Sequence, residues 1–132
     1  MTLVDTNVLL DVLTDDRKFA SWSIRELDAA SLRGSLAIND IVYAELSVRF
    51  ATIEAVDAVV AEMGLARMAM PLAALFLAGK VFQRYRAAGG TRNGVLSDLF
   101  IGAHAAVLGC PLLSRDAGRY RSYFPAIDLV TP

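Results

Sequence analysis

The sequence predicts an α/β protein, a three-layer α/β/α sandwich with a central parallel sheet of about five strands. Short apolar segments alternate with longer helical patterns along the chain, and this alternation is typical of a parallel sheet that helices cover on both faces. The length of 132 residues suits one domain, so 1–132 is predicted to form a single unit with a substantial core. The hydrophobic content of 55% must lie in that core or on a surface that a partner covers.

Two strands and three helices are predicted in the first half of the chain. The apolar segment TLVD gives a strand at 2–5, and the amphipathic pattern of 19–34 gives a helix that ends at a glycine. A second strand, 35–40, ends at Asp40, which is placed to cap the following helix. Thr52 is placed to cap the helix after that one. These two helices are predicted at 41–50 and 53–64.

The second half of the chain continues the alternation. LARMAM favours a brief strand before Pro71, which opens a helix at 71–88. The composition of 89–94 is typical of a loop. The remaining predicted elements are an almost wholly apolar helix at 97–109, a strand at 111–114, a short helical turn and a last strand at 126–130.

Two aspartates follow predicted strands at the edge of the sheet where ligands bind in open parallel sheets. Asp5 ends the first strand, and Asp116 comes two residues after PLLS. A helix N-cap or a solvated loop acid would also explain either residue. Asp11 lies two helical turns beyond Asp5 and is interpreted as a solvated surface acid.

Two further acids lie in apolar surroundings. Glu45 is in the middle of its helix, with Ile41 and Val48 on the same face. A carboxylate on a buried stripe needs a partner, and an internal salt bridge is the alternative to a functional role. Asp98 begins the apolar helix, where the helix dipole alone would favour an anion, but it shares a face with Ile101 and is expected to be buried.

The four acids together indicate a site for a hard divalent cation. Four converging carboxylates cannot all stay ionised without one, because like charges raise one another's pKa. Oxygen ligands are preferred by Mg²⁺ or Mn²⁺, and the chain has no cluster of His or Cys that would favour zinc. Phosphodiester hydrolysis is a natural use of such an ion. His104 is expected to be a packed or hydrogen-bonded histidine, and Cys110 a core residue of a protein in a reducing, cytoplasmic setting.

Four segments in one order resemble a known family: VDTNVLLDVL, YAELSVRF, SDLFIGAHAAVLG and LLSRDAGRYRSYFP. Together they are similar to the PIN-domain ribonucleases, and in particular to the VapC toxins of bacterial toxin–antitoxin pairs. The resemblance implies a Mg²⁺- or Mn²⁺-dependent endoribonuclease that acts on a structured RNA such as tRNA or rRNA. Four acids that the family shares, and two polar residues that would support them, correspond to positions in this sequence. The quartet is Asp5, Glu45, Asp98 and Asp116, and the supporting residues are Asn7 and Ser114.

The same resemblance implies partners. A small VapB-like antitoxin would hold the toxin inactive, and a homodimer is expected. Residues 84–121 carry a net charge of +4, which would attract RNA phosphates. The candidate phosphate contacts are Arg92, Arg115, Arg119 and Arg121.

Two other functions fit parts of the sequence. A small phosphatase of the haloacid dehalogenase type shares an aspartate at the end of its first strand, but that class needs a second aspartate at the position of Asn7. A PIN-like module that binds RNA or a partner without cutting is the other alternative. No membrane span is predicted, since acids interrupt the first apolar stretch and 69–79 is too short.

Overall fold

The computed structural model describes Met1–Pro132 and contains five β-strands and seven α-helices. None of these helices combines the length and apolar character that a membrane span requires. The strands are β1 (Thr2–Val4), β2 (Leu36–Asn39), β3 (Leu65–Met68), β4 (Leu112–Leu113) and β5 (Leu129–Val130). The helices are α1 (Thr6–Leu13), α2 (Ala20–Arg33), α3 (Asp40–Ser47), α4 (Ile53–Glu62), α5 (Leu72–Ala87), α6 (Val95–Leu108) and α7 (Gly118–Tyr123).

All five strands join one parallel sheet in the order β3-β2-β1-β4-β5. The chain first builds outward from β1 through β2 to β3 and then returns to the opposite side of β1 with β4. The order therefore reverses between β1 and β4, where Val4 pairs with Leu113. In open parallel sheets, ligands bind at this switch point, outside the carboxyl ends of the strands.

The central strands are buried on both faces. Every residue of β1, β2 and β4 is buried, although successive side chains of a strand point to opposite sides of the sheet. Helices must therefore cover both sides, as predicted for an α/β sandwich. A continuous cluster of 24 buried residues forms the core, and it includes Ile38, Leu99 and Tyr120.

The helix caps agree with the sequence at one position and differ at another. Thr52 caps α4 as predicted, its Oγ1 accepting a hydrogen bond from the backbone N–H of Ala55. Asp40 is not the cap of α3, because the helix begins one residue earlier than expected. Asn39 takes that role, and its Oδ1 accepts from the N–H of Val42 at 3.0 Å. Asp40 instead occupies the first turn of α3, where the helix dipole favours an acid.

Candidate active site

Asp5 and Ser114 lie side by side at the switch point of the sheet. Asp5 directly follows β1 and Ser114 directly follows β4, and the backbone N–H of Asp5 donates to the carbonyl oxygen of Leu113 at 2.9 Å. Asp5 is also the N-cap of α1, since its Oδ1 accepts from the N–H of Thr6 at 2.7 Å. One oxygen of the carboxylate therefore caps the helix, and the other is left for the site.

That second oxygen, Oδ2 of Asp5, accepts hydrogen bonds from three side chains. The hydroxyls of Ser114 and Tyr120 each donate to it at 2.8 Å. The amide nitrogen of Asn7 lies 3.4 Å from the same oxygen and 3.2 Å from Oγ of Ser114. Asn7 and Ser114 thus lie next to the first acid. Tyr120 was missed, because only the docking of α7 brings it to β1.

The pKa of Asp5 depends on its burial, its hydrogen-bond donors and the nearby charge of Asp98. Burial raises the pKa of Asp5 to about 6, while the hydroxyl donors oppose the shift and the charge of Asp98 adds to it. Burial also raises the pKa of Asp98, with the charge of Asp116 acting in the same direction and Arg119 opposing both. Asp98 interacts with the other two acids, so Asp5, Asp98 and Asp116 belong to one electrostatic cluster at this edge of the sheet.

Glu45 joins the site through α1. Its Oε1 accepts a hydrogen bond from the hydroxyl of Thr6 at 2.7 Å, a contact that the sequence did not predict. It has no salt bridge, so that alternative explanation of Glu45 is wrong. The expected apolar face is only partly present, because Val48 is 86% exposed on the outer side of α3.

The remaining two acids are more open to solvent. The Asp98 side chain is 30% exposed rather than buried as expected, and its Oδ2 forms an ion pair with the guanidinium of Arg119. Asp116 is exposed at the loop after β4, where its backbone N–H donates to Oγ of Ser114 at 3.1 Å. Asp116 Oδ1 accepts from the N–H of Gly118 at 3.3 Å, at the start of α7.

Asp11 is not a surface acid. Its side chain is only 2% exposed and forms an ion pair with Arg115 at 2.9 Å. The prediction failed because Asp11 was placed only by its distance from Asp5. Its spacing from Val8, a fully buried residue three positions earlier on α1, would have indicated the inner face.

The four candidate arginines have different surroundings. Arg115 pairs with Asp11 and Arg119 with Asp98. Arg92 and Arg121 are exposed, and neither side chain has an ion-pair partner.

His104 and Cys110 are core residues, as predicted. His104 is fully buried, and its Nδ1 lies 3.2 Å from the amide nitrogen of Asn39. Burial lowers the pKa of His104, which keeps the ring neutral. Since Oδ1 of Asn39 already caps α3, the amide donates to Nδ1, and the ring proton is then on Nε2. Cys110 is a buried free thiol.

The donor chemistry of the acidic cluster fits a hard divalent cation. All four acids offer oxygen ligands, which Mg²⁺ and Mn²⁺ prefer. A nearby positive charge would lower the pKa of Asp5 and of Asp98, which burial raises in both cases. In this arrangement no three of the acids are grouped as a metal site. Two of them are turned to protein partners instead: Asp5 to Ser114 and Tyr120, and Asp98 to Arg119.

The fold and the site together define an α/β protein with an acidic centre at the switch point of a parallel sheet. The sequence matches the PIN domain over residues 2–124, and the chain belongs to the PIN domain family. The resemblance in the four sequence segments is thereby confirmed at the level of the family. No curated protein matches the chain.

Solved structures with the same fold include several toxin–antitoxin complexes. VapBC2 from Rickettsia felis, bound to a DNA fragment from its promoter, aligns with a TM-score of 0.75 at 17% identity, covering 98% of this chain and 97% of that one. DNA-bound VapBC from Salmonella typhimurium gives 0.71 at 19% identity, with 98% and 96% covered. A toxin–antitoxin complex from Klebsiella pneumoniae gives 0.69 at 20% identity, with 99% and 97% covered. At these identities the likeness establishes the shared fold.

Proposed function

We propose that this PIN domain is a Mg²⁺- or Mn²⁺-dependent endoribonuclease. The observation that carries the proposal is the electrostatic cluster of Asp5, Asp98 and Asp116 at the switch point of the sheet. A buried carboxylate beside other acids is destabilised in its charged form unless a cation or a proton joins it. The family assignment favours a nuclease over the small phosphatase considered from the sequence, since Asn7 lies where that phosphatase class needs an acid.

Each residue of the site has a role in this proposal. Asp5, Glu45, Asp98 and Asp116 would hold the cation, and one of these carboxylates, acting through a water molecule, would assist attack on the phosphodiester. When bound, the cation supplies a lowered pKa for water and stabilises charge on the phosphoryl oxygens. The hydroxyls of Ser114 and Tyr120 orient Asp5, and the hydroxyl of Thr6 orients Glu45.

Charge and fold support the substrate and partner of this proposal. A structured RNA such as tRNA or rRNA would meet the basic segment 84–121, where the exposed side chains of Arg92 and Arg121 are free to contact phosphates. The similar structures are of toxin–antitoxin complexes, which supports a VapC-like toxin neutralised by a VapB-like antitoxin. A homodimer is part of the same proposal.

The test is cleavage of purified tRNA and rRNA by the purified protein. We expect cleavage with Mg²⁺ or Mn²⁺ and none after chelation with EDTA. Asp98→Asn should reduce the rate by a hundredfold or more, because it removes a charged ligand of the cation. Asp15→Asn is the matched control, since Asp15 is an exposed aspartate on the loop after α1. Full activity in Asp98→Asn, or cleavage that survives EDTA, would contradict the proposal.

The antitoxin is tested separately by co-expression. Expression of the chain alone should stop growth of the host cell, and the product of a short neighbouring reading frame should restore it. The Asp98→Asn variant should not be toxic. Toxicity that the variant retains would show that growth arrest has another cause.

A further inference from the structure

An ion pair with a buried acid, outside the acidic cluster, joins α1 to the loop after β4. Its acid is Asp11, whose side chain is 2% exposed. A buried carboxylate is costly unless it is paired and hydrogen-bonded. Asp11 is both: Nε of Arg115 lies 3.1 Å from Oδ1 and 2.9 Å from Oδ2, and the hydroxyl of Ser23 on α2 donates to Oδ2 at 3.0 Å.

Arg115 is held at both its side chain and its main chain. The guanidinium lies over the ring of Phe19, 4.7 Å from the ring centre, on the loop that leads into α2. The backbone N–H of Arg115 donates to Oδ1 of Asn7 at 3.2 Å. Arg115 is therefore fixed against α1 twice, by its side chain through Asp11 and by its main chain through Asn7.

The residues on either side of Arg115 both belong to the proposed site. Ser114 donates to Asp5, and Asp116 is the fourth acid. A shift of Arg115 would move both neighbours, because they are joined to it by peptide bonds. Positioning errors of about 1 Å can reduce a rate roughly a hundredfold.

We infer that Asp11 and Arg115 form a positioning clamp that sets Ser114 and Asp116 against Asp5. The inference rests on the proposed function, and it gives Arg115 a role different from the phosphate contact expected from the sequence. The Nε–H that reaches Asp11 is a donor that lysine lacks, so the clamp requires arginine. Asp11, Arg115 and Phe19 act through the loop and do not touch the reacting groups.

The experiment compares Asp11→Asn, Arg115→Gln and the double variant at a temperature where all are fully folded. Each single variant should lower kcat and Mg²⁺ affinity by about tenfold, within the range for residues that support metal ligands. RNA affinity measured without Mg²⁺ should stay unchanged. The double variant should be no worse than either single variant, because both substitutions remove the same interaction.

Amide hydrogen exchange gives a second readout that does not need activity. The N–H groups of Arg115 and Asp116 donate to Asn7 and Ser114, so both should exchange at least tenfold faster once the clamp is lost. Asp15→Asn and Arg17→Gln are the matched controls. Both lie on the same exposed loop, and neither has an ion-pair partner.

Three outcomes would overturn the clamp. If Arg115→Gln alone weakens RNA binding without Mg²⁺, the arginine is a phosphate contact. If the effects of the single variants add in the double variant, the two residues act separately. If only the melting temperature falls, the pair is structural. Failure of the proposed function would be seen in the wild-type protein, which would then not cleave RNA, while Mg²⁺ affinity and amide exchange would still test the clamp.

Discussion

The acidic site has two halves that are built differently. The inner half lies at the buried edge of the sheet, and its carboxylate accepts from donors on α1, on the loop after β4 and on α7. The outer half is partly open to solvent, and the ion pair between Arg119 and Asp98 lies there. The inner half consists of Asp5, Asn7, Ser114 and Tyr120, and the outer half of Glu45, Asp98, Asp116 and Arg119.

Folding therefore fixes the contacts of the inner acid, whereas a bound ligand can change the contacts of the outer acids. The inner carboxylate is held in place at a cost in stability, because burial raises the pKa of Asp5 to about 6. The outer acids keep access to water, so they can exchange a protein partner for another cation at small cost. Substitutions in the inner half should therefore change the free energy of unfolding by more than substitutions in the outer half.

The largest effect is expected where α7 packs against α6. A Cβ on Gly102 would lie 2.5 Å from the ring of Phe124 and 3.1 Å from that of Tyr120, closer than packed atoms allow. Gly102→Ala should therefore lower the free energy of unfolding by about 2 to 3 kcal/mol, measured by urea denaturation. It should also displace Tyr120 from Asp5.

The control for this variant has the opposite sign. Gly79 lies within α5 and a Cβ there would meet no atom within 4 Å. Gly79→Ala should raise the free energy of unfolding by about 0.5 to 1 kcal/mol, since alanine favours a helix interior. Equal stability of the two variants would show that α7 packs less closely on α6 than the structure has it.

The second effect is a gain in stability when the charge of Asp5 is removed. The pKa of Asp5 is raised in the folded protein, so its contribution to stability is full below about pH 4 and is lost as the pH rises through about 6. In EDTA, Asp5→Asn should match the wild type near pH 4 and exceed it by about 2.7 kcal/mol at pH 8, from about two pKa units.

Added Mg²⁺ should reverse this order. The wild-type protein should gain stability with Mg²⁺ concentration, and Asp5→Asn should not, because a ligand that binds only the folded state stabilises it. Asp15→Asn, which changes an exposed aspartate, should follow the wild type at every pH. If Asp5→Asn were less stable than the wild type at pH 8 in EDTA, burial would not be destabilising the ionised carboxylate of Asp5.

The fold could be predicted from the sequence because its signals are local. Apolar segments such as TLVD and PLLS marked the strands, and their alternation with helices implied the parallel sheet. The order β3-β2-β1-β4-β5 is not a local property, since it depends on how helices pack over the sheet. One cap differs by a single residue, Asn39 in place of Asp40, because α3 begins one residue earlier than predicted.

The site was predictable where a residue follows a strand and not where a contact spans the chain. Asp5 and Asp116 were singled out because each follows a predicted strand, and Ser114 only because of the resemblance to a known family. Tyr120, 115 residues from Asp5, and Arg115, 104 residues from Asp11, meet their partners only after tertiary packing. Periodicity within α1 held the one usable signal for Asp11, its spacing from Val8.

The third effect tests one hydrogen bond of the inner half. The hydroxyl of Tyr120 stays protonated, because burial and Asp5 both raise the pKa of Tyr120. Tyr120→Phe should cost about 1.5 kcal/mol at pH 8, where Asp5 is ionised, and less at pH 4. Tyr123→Phe is the control, since its ring packs edge-on against Tyr85 and its hydroxyl makes no hydrogen bond. Equal losses of stability at both pH values would show that the hydroxyl of Tyr120 does not interact with the charge of Asp5.

The smallest effect on stability belongs to the outer half, at Arg119. Its ion pair with Asp98 is about 30% exposed, so Arg119→Gln should change the free energy of unfolding by less than about 1 kcal/mol. The same substitution should tighten Mg²⁺ binding severalfold, measured by calorimetry, because the guanidinium and the cation compete for one carboxylate. Arg84→Gln, on the exposed face of α5, should leave the affinity unchanged. Weaker Mg²⁺ binding in Arg119→Gln would mean that Arg119 orients Asp98 for the cation, and the outer half would then be as fixed as the inner one.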